Sequence, residues 1–230
     1  MISSQLVAFK GTLDCANAVV GINAATANAR RLAEDAQMLL DAGRYASAIS
    51  LAALAIEESG KTSILRAILL TDDAVSLKSE WKRYRTHTSK NCHWILSDLV
   101  AQGAKSLDDL RGIYDEQSDH PKILDQLKQL GFYTDCFGEH AHWSVPDEVI
   151  DAALATEVVR SATIFAGRSF VSERELQLWV EHMKPVWKRD LAGMKAALIT
   201  CYAAMQSEGL LADGPNKMDE FVSGTSPSGS

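Results

Sequence analysis

An all-α helical bundle is the fold class this sequence predicts, and three observations carry that expectation. Apolar residues make up 47% of the 230, with Ala, Leu and Ile prominent, a composition that favours helices over sheets. Long stretches place apolar residues three and four apart, the spacing of one helix face. Gly, Pro and clustered polar residues interrupt those stretches at points suited to helix ends. The length suits one large domain, here taken as 1–208, with 209–230 (GPNKMDEFVSGTSPSGS at its end) as a flexible tail.

Read in order, a first helix spans about 12–42 and ends at Gly43, a residue suited to the position after a helix. A second runs from Tyr45 to about Leu70 and stops at Thr71-Asp72-Asp73. The third is predicted as one helix over 75–101, antiparallel to the second because the connection at 71–74 is short. A polar connector follows at 103–121, then a short helix near 121–130 and an irregular or hairpin insertion near 131–145. Ser144, with Pro146 in the first turn, is expected to open a helix to about Ala166. Ser172 and Glu175 form a capping-box pattern at the start of a last helix to about Ser207, kinked at Pro185.

The net charge of −7 argues against non-specific nucleic-acid binding over the whole surface. One stretch is different: KSEWKRYRTHTSK (78–90) is a basic island on an acidic chain. Cys15, Cys92, Cys136 and Cys201 lie far apart with no CxxC pair, so neither a disulfide framework nor a zinc ribbon is indicated. The N-terminal MISSQLVAFKG has too short an apolar stretch for a signal peptide. No apolar run approaches the ~20 residues that span a bilayer. The expectation is a soluble cytoplasmic protein with no membrane partner.

Residues 55–62, AIEESGKT, imitate a phosphate-binding loop. Such a loop needs a preceding strand, glycines for close backbone approach, and a helix beginning at the lysine. Here the Ala-rich GRYASAISLAAL precedes it, and helical spacing runs straight through. Ala48, Ile49, Ala52, Ala53, Ile56, Gly60 and Ala67 share one smooth face, while Glu57, Glu58 and Lys61 gather on the other side. Two carboxylates would also repel a phosphate. Lys61 is therefore a helix residue, and Glu57–Lys61 and Glu58–Lys61 read as a solvated, salt-bridged face.

In the third helix, Leu77, Trp81, Tyr84, Thr88, Cys92, Ile95 and Leu99 fall on one arc as the core face. Arg83, His87, Lys90 and Trp94 form a second stripe, with Arg85 nearly opposite Arg83. Arg and Lys can hold phosphate, His can move protons near neutral pH, and Trp94 could stack on an unpaired base. Such a set could cleave RNA without a metal, His87 moving protons for 2′-hydroxyl attack. The same stripe also reads as a solvated basic face with one incidental histidine.

The run NARRLAEDAQMLLDAGRYASAISLAALAIEESGK (28–61), followed by WKRYRTHTSKN (81–91), resembles the AbiV family of bacterial abortive-infection proteins. The later LGFYTDCFGEHAHWSVPDEVI (130–150) is similar to that family's Tyr-centred segment. The resemblance implies membership of the HEPN superfamily, all-α bundles that include many metal-independent endoribonucleases of defence systems. It implies phage defence by arrest of growth or translation, RNA as substrate, and a homodimer that completes the cleft. A phage-encoded activator or an antitoxin-like protein is a further implied partner. In that superfamily the resemblance implies an Arg and a His on one helix with four to six residues between them. Here three residues separate Arg83 from His87, and the pattern that remains is Arg85-x-His87-x-x-Lys90. The alternative is a non-catalytic protein that binds a phage or host translation component.

The candidate catalytic residues are His87, Arg85, Arg83, Lys90 and Glu58, and the candidate RNA-binding residues are Lys61, Trp94 and Asn91. DCFGEHAH (135–142) offers Asp135, Cys136, Glu139, His140 and His142, but its spacings fit no standard zinc pattern. No metal and no cofactor are expected.

Overall fold

The computed structural model of the chain describes residues 7–115, 117–212 and 214–224, less the side chain of Tyr114. It is all-α apart from one two-stranded hairpin. The first helix, α1 (Cys15–Asp41), starts where the Asp14 carboxylate accepts the Asn17 amide, and the chain turns at Gly43 with φ of 71°. The second, α2 (Tyr45–Leu69), is the centre of the molecule. Its buried positions include Ala46, Ile49, Ala53, Ile56, Gly60 and Ile64, so almost no side of it faces water. A helix apolar all round must be covered all round, and α1, α6 (His120–Phe132) and α8 (Ala152–Ala166) do this.

Small residues set the spacing. Ala29, Ala33 and Ala36 of α1 and Ala155 and Ala162 of α8 share one core with Ala48, Ala52 and Ala55 of α2. Gly131 of α6 lets that helix sit on α2: a Cβ there would lie 2.3 Å from Ser50 Oγ and 2.6 Å from the Ala46 carbonyl oxygen. A second core joins Ile22, Ile64, Ile68, Trp81 and Leu176.

Residues 75–101 are not one helix. They form α3 (Ala74–Arg85), α4 (His87–Lys90) and α5 (Leu96–Ala101), with Thr86 extended at φ −90° and ψ 126°. The Asp73 carboxylate opens α3 by accepting the Val75 and Ser76 amides. At the break, the Thr86 hydroxyl donates back to the Lys82 carbonyl, a local bond that competes with helix continuation. The break lets the backbone at Lys90 press onto α2, where a Cβ on Gly60 would meet the Lys90 carbonyl oxygen at 2.1 Å. The expected antiparallel pairing of 45–70 with 75–101 through the Ala/Gly face is therefore corrected. That face goes chiefly to α1 and α8, while Gly60 meets α4.

Two other long helices are also divided. Ser144 lies in strand β2 (His142–Ser144), paired with β1 (Asp135–Phe137) in the register Phe137↔His142. After it come α7 (Pro146–Val149) and, past the extended and buried Ile150, α8 with Asp151 as its cap. The capping box at Ser172 and Glu175 forms as the sequence suggests, but it opens α9 (Glu173–Met183), which ends before Pro185. Asp190 then caps a separate α10 (Leu191–Ser207), accepting the Ala192 and Gly193 amides. Within 209–230, read above as a tail, lies α11 (Met218–Ser223), whose Phe221 carbonyl accepts the Leu107 amide. The connector holds a 3-10 helix at Asp108–Tyr114. No helix among the described residues is long and apolar enough to cross a membrane.

Candidate functional site

Three elements converge on one carboxylate. Glu57 lies mid-way along α2, its side chain 3% exposed. Its Oε2 is 2.6 Å from His87 Nδ1 and 3.4 Å from Lys90 Nζ, both on α4. Its Oε1 accepts from Lys128 Nζ of α6 at 2.6 Å, and the same ammonium holds Asp125 at 2.6 Å. Gly60 is what makes this convergence possible, because it admits α4 to within one helical turn of Glu57.

The electrostatics follow from that crowding. Burial pushes Glu57 toward the neutral form, but the hydrogen bonds from Lys128 and His87 and the charges of Lys128 and Lys90 outweigh it, so its carboxyl is held below the usual range. Burial opposes the charge on Lys128 too, yet its bonds to Asp125 and Glu57 hold its pKa above that of a free lysine. Lys90 goes the other way. Burial lowers its pKa more than the attraction of Glu57 raises it. An ionised Glu57 can only accept hydrogen bonds, which assigns the proton of the pair to His87 Nδ1. The imidazole side chain is 57% exposed, and its Nε2 has no protein partner among the described residues.

The sequence candidates separate into two groups. His87 and Lys90 meet at Glu57. Glu58 does not join them; it pairs with Lys61, whose ammonium also lies 5.5 Å from the Tyr84 ring centroid. The Glu58–Lys61 pair forms as the spacing suggests, but the two side chains are only 19% and 20% exposed and Glu57 is buried, so the solvated-face reading is corrected. Arg83 reaches Glu80 Oε2 at 2.7 Å, and Lys188 binds the other oxygen of that buried carboxylate at 2.9 Å. Arg85 turns away, donating to the Trp81 and Phe9 carbonyls and lying over the Trp81 ring. Asn91 is fully buried and donates to the Pro121 carbonyl at 3.2 Å. Trp94 packs on the main core and donates to the His120 carbonyl at 2.7 Å. The break at Thr86 explains why the helical stripe of Arg83, His87, Lys90 and Trp94 does not survive.

Beside α4 opens a groove of about 520 Å³ lined by Arg83, Thr88, Ser89, Lys122 and Lys188 among others. Arg83, Lys122 and Lys188 outnumber its acid, Asp115. The hairpin loop lies elsewhere, with His140, His142 and Cys136 exposed. Among the described residues, the one group of His, Cys, Asp and Glu atoms close enough to share a cation is Glu57, His87 and Asp125. The Lys128 ammonium already bonds both of those carboxylates, so the donor set as arranged does not fit a metal.

Glu57, Asp125 and Lys128 are the members that sequence reasoning missed as site residues. For Glu57 a signal existed: it sits three residues before Gly60, on a helix with little polar surface. Nothing local marks Lys128 or Asp125. The family model for AbiV, a HEPN-type family, matches residues 17–167, which runs from the first turn of α1 to the end of α8 and takes in every residue of the Glu57 cluster. Searches of curated proteins and of solved structures returned no match. The match covers more than half of the chain, and the chain therefore belongs to the AbiV family, a membership that points to abortive infection and phage defence.

Proposed function

We propose that this protein is a metal-independent endoribonuclease of phage defence in which His87 is the proton-transfer group and Glu57 sets it. The observation that carries this reading is the 2.6 Å contact between His87 Nδ1 and a buried, ionised Glu57. A carboxylate that holds one ring nitrogen fixes the tautomer and leaves the other nitrogen to act on substrate. His87 Nε2 takes the proton from an RNA 2′-hydroxyl as that oxygen attacks the adjacent phosphorus. The Glu57 carboxylate stabilises the imidazolium so formed. Buried Lys90 adds positive field behind it, and Arg83, Lys122 and Lys188 of the adjoining groove carry the backbone phosphates. A homodimer supplies the second proton-transfer group, for the leaving 5′-oxygen.

The test is purified protein incubated with total RNA and with tRNA, with and without EDTA, beside His87→Ala. Cleavage that survives the chelator and is lost in His87→Ala is the expected result. A second reading, a non-catalytic protein that binds a phage or host translation component, is favoured by exposed apolar residues around the hairpin. Tyr133 is 60% exposed, Phe137 47% and Trp143 63%. It takes over if RNA stays intact under every condition while His87→Ala still loses a protein partner.

A further inference from the structure

A second cavity, of about 380 Å³, lies on another side of α2 from the bonds to His87 and Lys128, and none of the Glu57 cluster lines it. That volume suits a ligand of mononucleotide size. Its floor is Ile22 and Thr26 of α1, both buried. Ser63 and Arg66 come from α2, Arg168 and Phe170 from the segment after α8, and Tyr202 from α10.

The wall formed by 168–171 is held in place by several bonds. Asn23 accepts the Val171 amide and donates to the Val171 carbonyl, each at 2.9 Å, a two-way clamp on an otherwise irregular strand of chain. Arg30 donates to the Arg168 carbonyl at 3.2 Å and lies 5.2 Å from the centre of the Phe170 ring. The Thr62 hydroxyl donates to the Ser59 carbonyl and accepts Arg168 Nη1 at 3.1 Å, which aims that guanidinium. Arg66, one helical turn beyond Thr62, rests over the Trp179 ring, 5.5 Å from its centroid.

The charge is one-sided. Two guanidinium groups face one carboxylate, Glu175, and that carboxylate already accepts the Ser172 amide in the capping box. His93, also in the lining, is held neutral at ordinary pH because burial and then the charge of Arg168 push its pKa down to about 4. It supplies a polar contact rather than a further charge. Planar guanidinium groups match phosphate oxygens in pairs, and Phe170 and Tyr202 present rings on which a flat base can rest.

We propose that this cavity is a binding site for a nucleoside monophosphate, with the phosphate between Arg66 and Arg168 and the base against Phe170 and Tyr202. The site is distinct from the Glu57 cluster and does not depend on the ribonuclease reading.

Calorimetric titration of the full chain with nucleoside monophosphates, ribose 5-phosphate and inorganic phosphate tests it. A nucleoside monophosphate is expected to bind saturably, at least tenfold tighter than ribose 5-phosphate or phosphate. Arg66→Gln is expected to weaken it at least tenfold. Because Arg66 also packs on Trp179, Ser63→Leu provides a second variant, which fills the cavity from the same helix and should abolish binding. Thermal melts of both variants establish that they are folded. His87→Ala should bind within twofold of the parent. The proposal is overturned if no nucleoside monophosphate binds at millimolar concentration, or if phosphate alone binds as tightly. It is equally overturned if folded Ser63→Leu binds like the parent, or if His87→Ala loses the ligand.

Discussion

Nδ1 of His87 lies 2.6 Å from Oε2 of Glu57, although the two residues are 30 positions apart and belong to different helices. The contact exists because Gly60, one turn beyond Glu57, leaves room for the Lys90 backbone. Its consequence is that a buried acid and an exposed base form one unit, with Lys90 and Lys128 supplying the compensating charge.

Glu57→Ala is expected to cost about 3–5 kcal/mol, since it leaves the buried ammonium of Lys128 with one carboxylate fewer. Glu58→Ala, by contrast, should cost about 1 kcal/mol or less, since it removes one partly buried ion pair with Lys61 and leaves no fully buried charge behind. Urea unfolding of the two variants side by side checks the contrast. Equal effects would remove Glu57 from its central position.

His87→Ala should leave the fold almost intact, because the imidazole is largely exposed and Lys128 and Lys90 still hold Glu57. RNA cleavage should fall about 10²–10⁴-fold, the usual contribution of a general acid or base. Single-turnover cleavage rates and a melting curve on the same preparation separate the two effects. A large loss of melting temperature with unchanged cleavage would contradict the assignment.

Gly60→Ala tests the close approach directly. The added Cβ would lie 2.1 Å from the Lys90 carbonyl oxygen, which is backbone and cannot simply swing away. The expected cost is about 1–3 kcal/mol, the usual penalty for overpacking. Cleavage should fall as α4 is displaced from Glu57. Full activity with unchanged stability would show that α4 tolerates the shift.

Stability should decline as the solution is acidified from pH 6.5 toward 4. His93 is held at about 4 in the fold against 6.5 when unfolded, by burial first and then by Arg168, Arg83 and His120. Between those values the unfolded chain binds a proton that the folded chain does not, so acid favours unfolding. The upper bound for this one group is about 3 kcal/mol. Glu57, with its depressed pKa, adds to the loss below about 4.5. Denaturation midpoints measured across this range should slope less in His93→Gln, and an unchanged slope would refute its part.

Much of the architecture is legible in the chain. Helical spacing and caps locate α2 to within one residue and α1 to within three, and the polar punctuation marks the connector, α6 and the hairpin. The division at 184–190 is marked by Pro185, where a kink rather than a full break is expected, whereas those at Thr86 and Ile150 are not marked in the same way. At these two, helical spacing continues locally, and contacts made at a distance accompany the interruption: Lys90 on Gly60, beside the local Thr86 hydroxyl bond, and Ile150 buried in the main core.

The candidate site divides along the same line. Its imidazole and Lys90 stand out in sequence because a basic stretch on an acidic chain is visible without any fold. The preference for Glu58 over Glu57 is different, since both fall on one arc of the helical wheel and a wheel cannot say which neighbour arrives there. By itself the sequence determined an all-α chain, its family, and a basic helical segment carrying His87. Only the tertiary structure decided that Glu57 is the buried partner, that Lys128 closes the cluster, and that Arg85 stands outside it. The reason is physical: helical periodicity is a local property of the chain, whereas the ionisation and partner of a buried carboxylate depend on which helices pack around it.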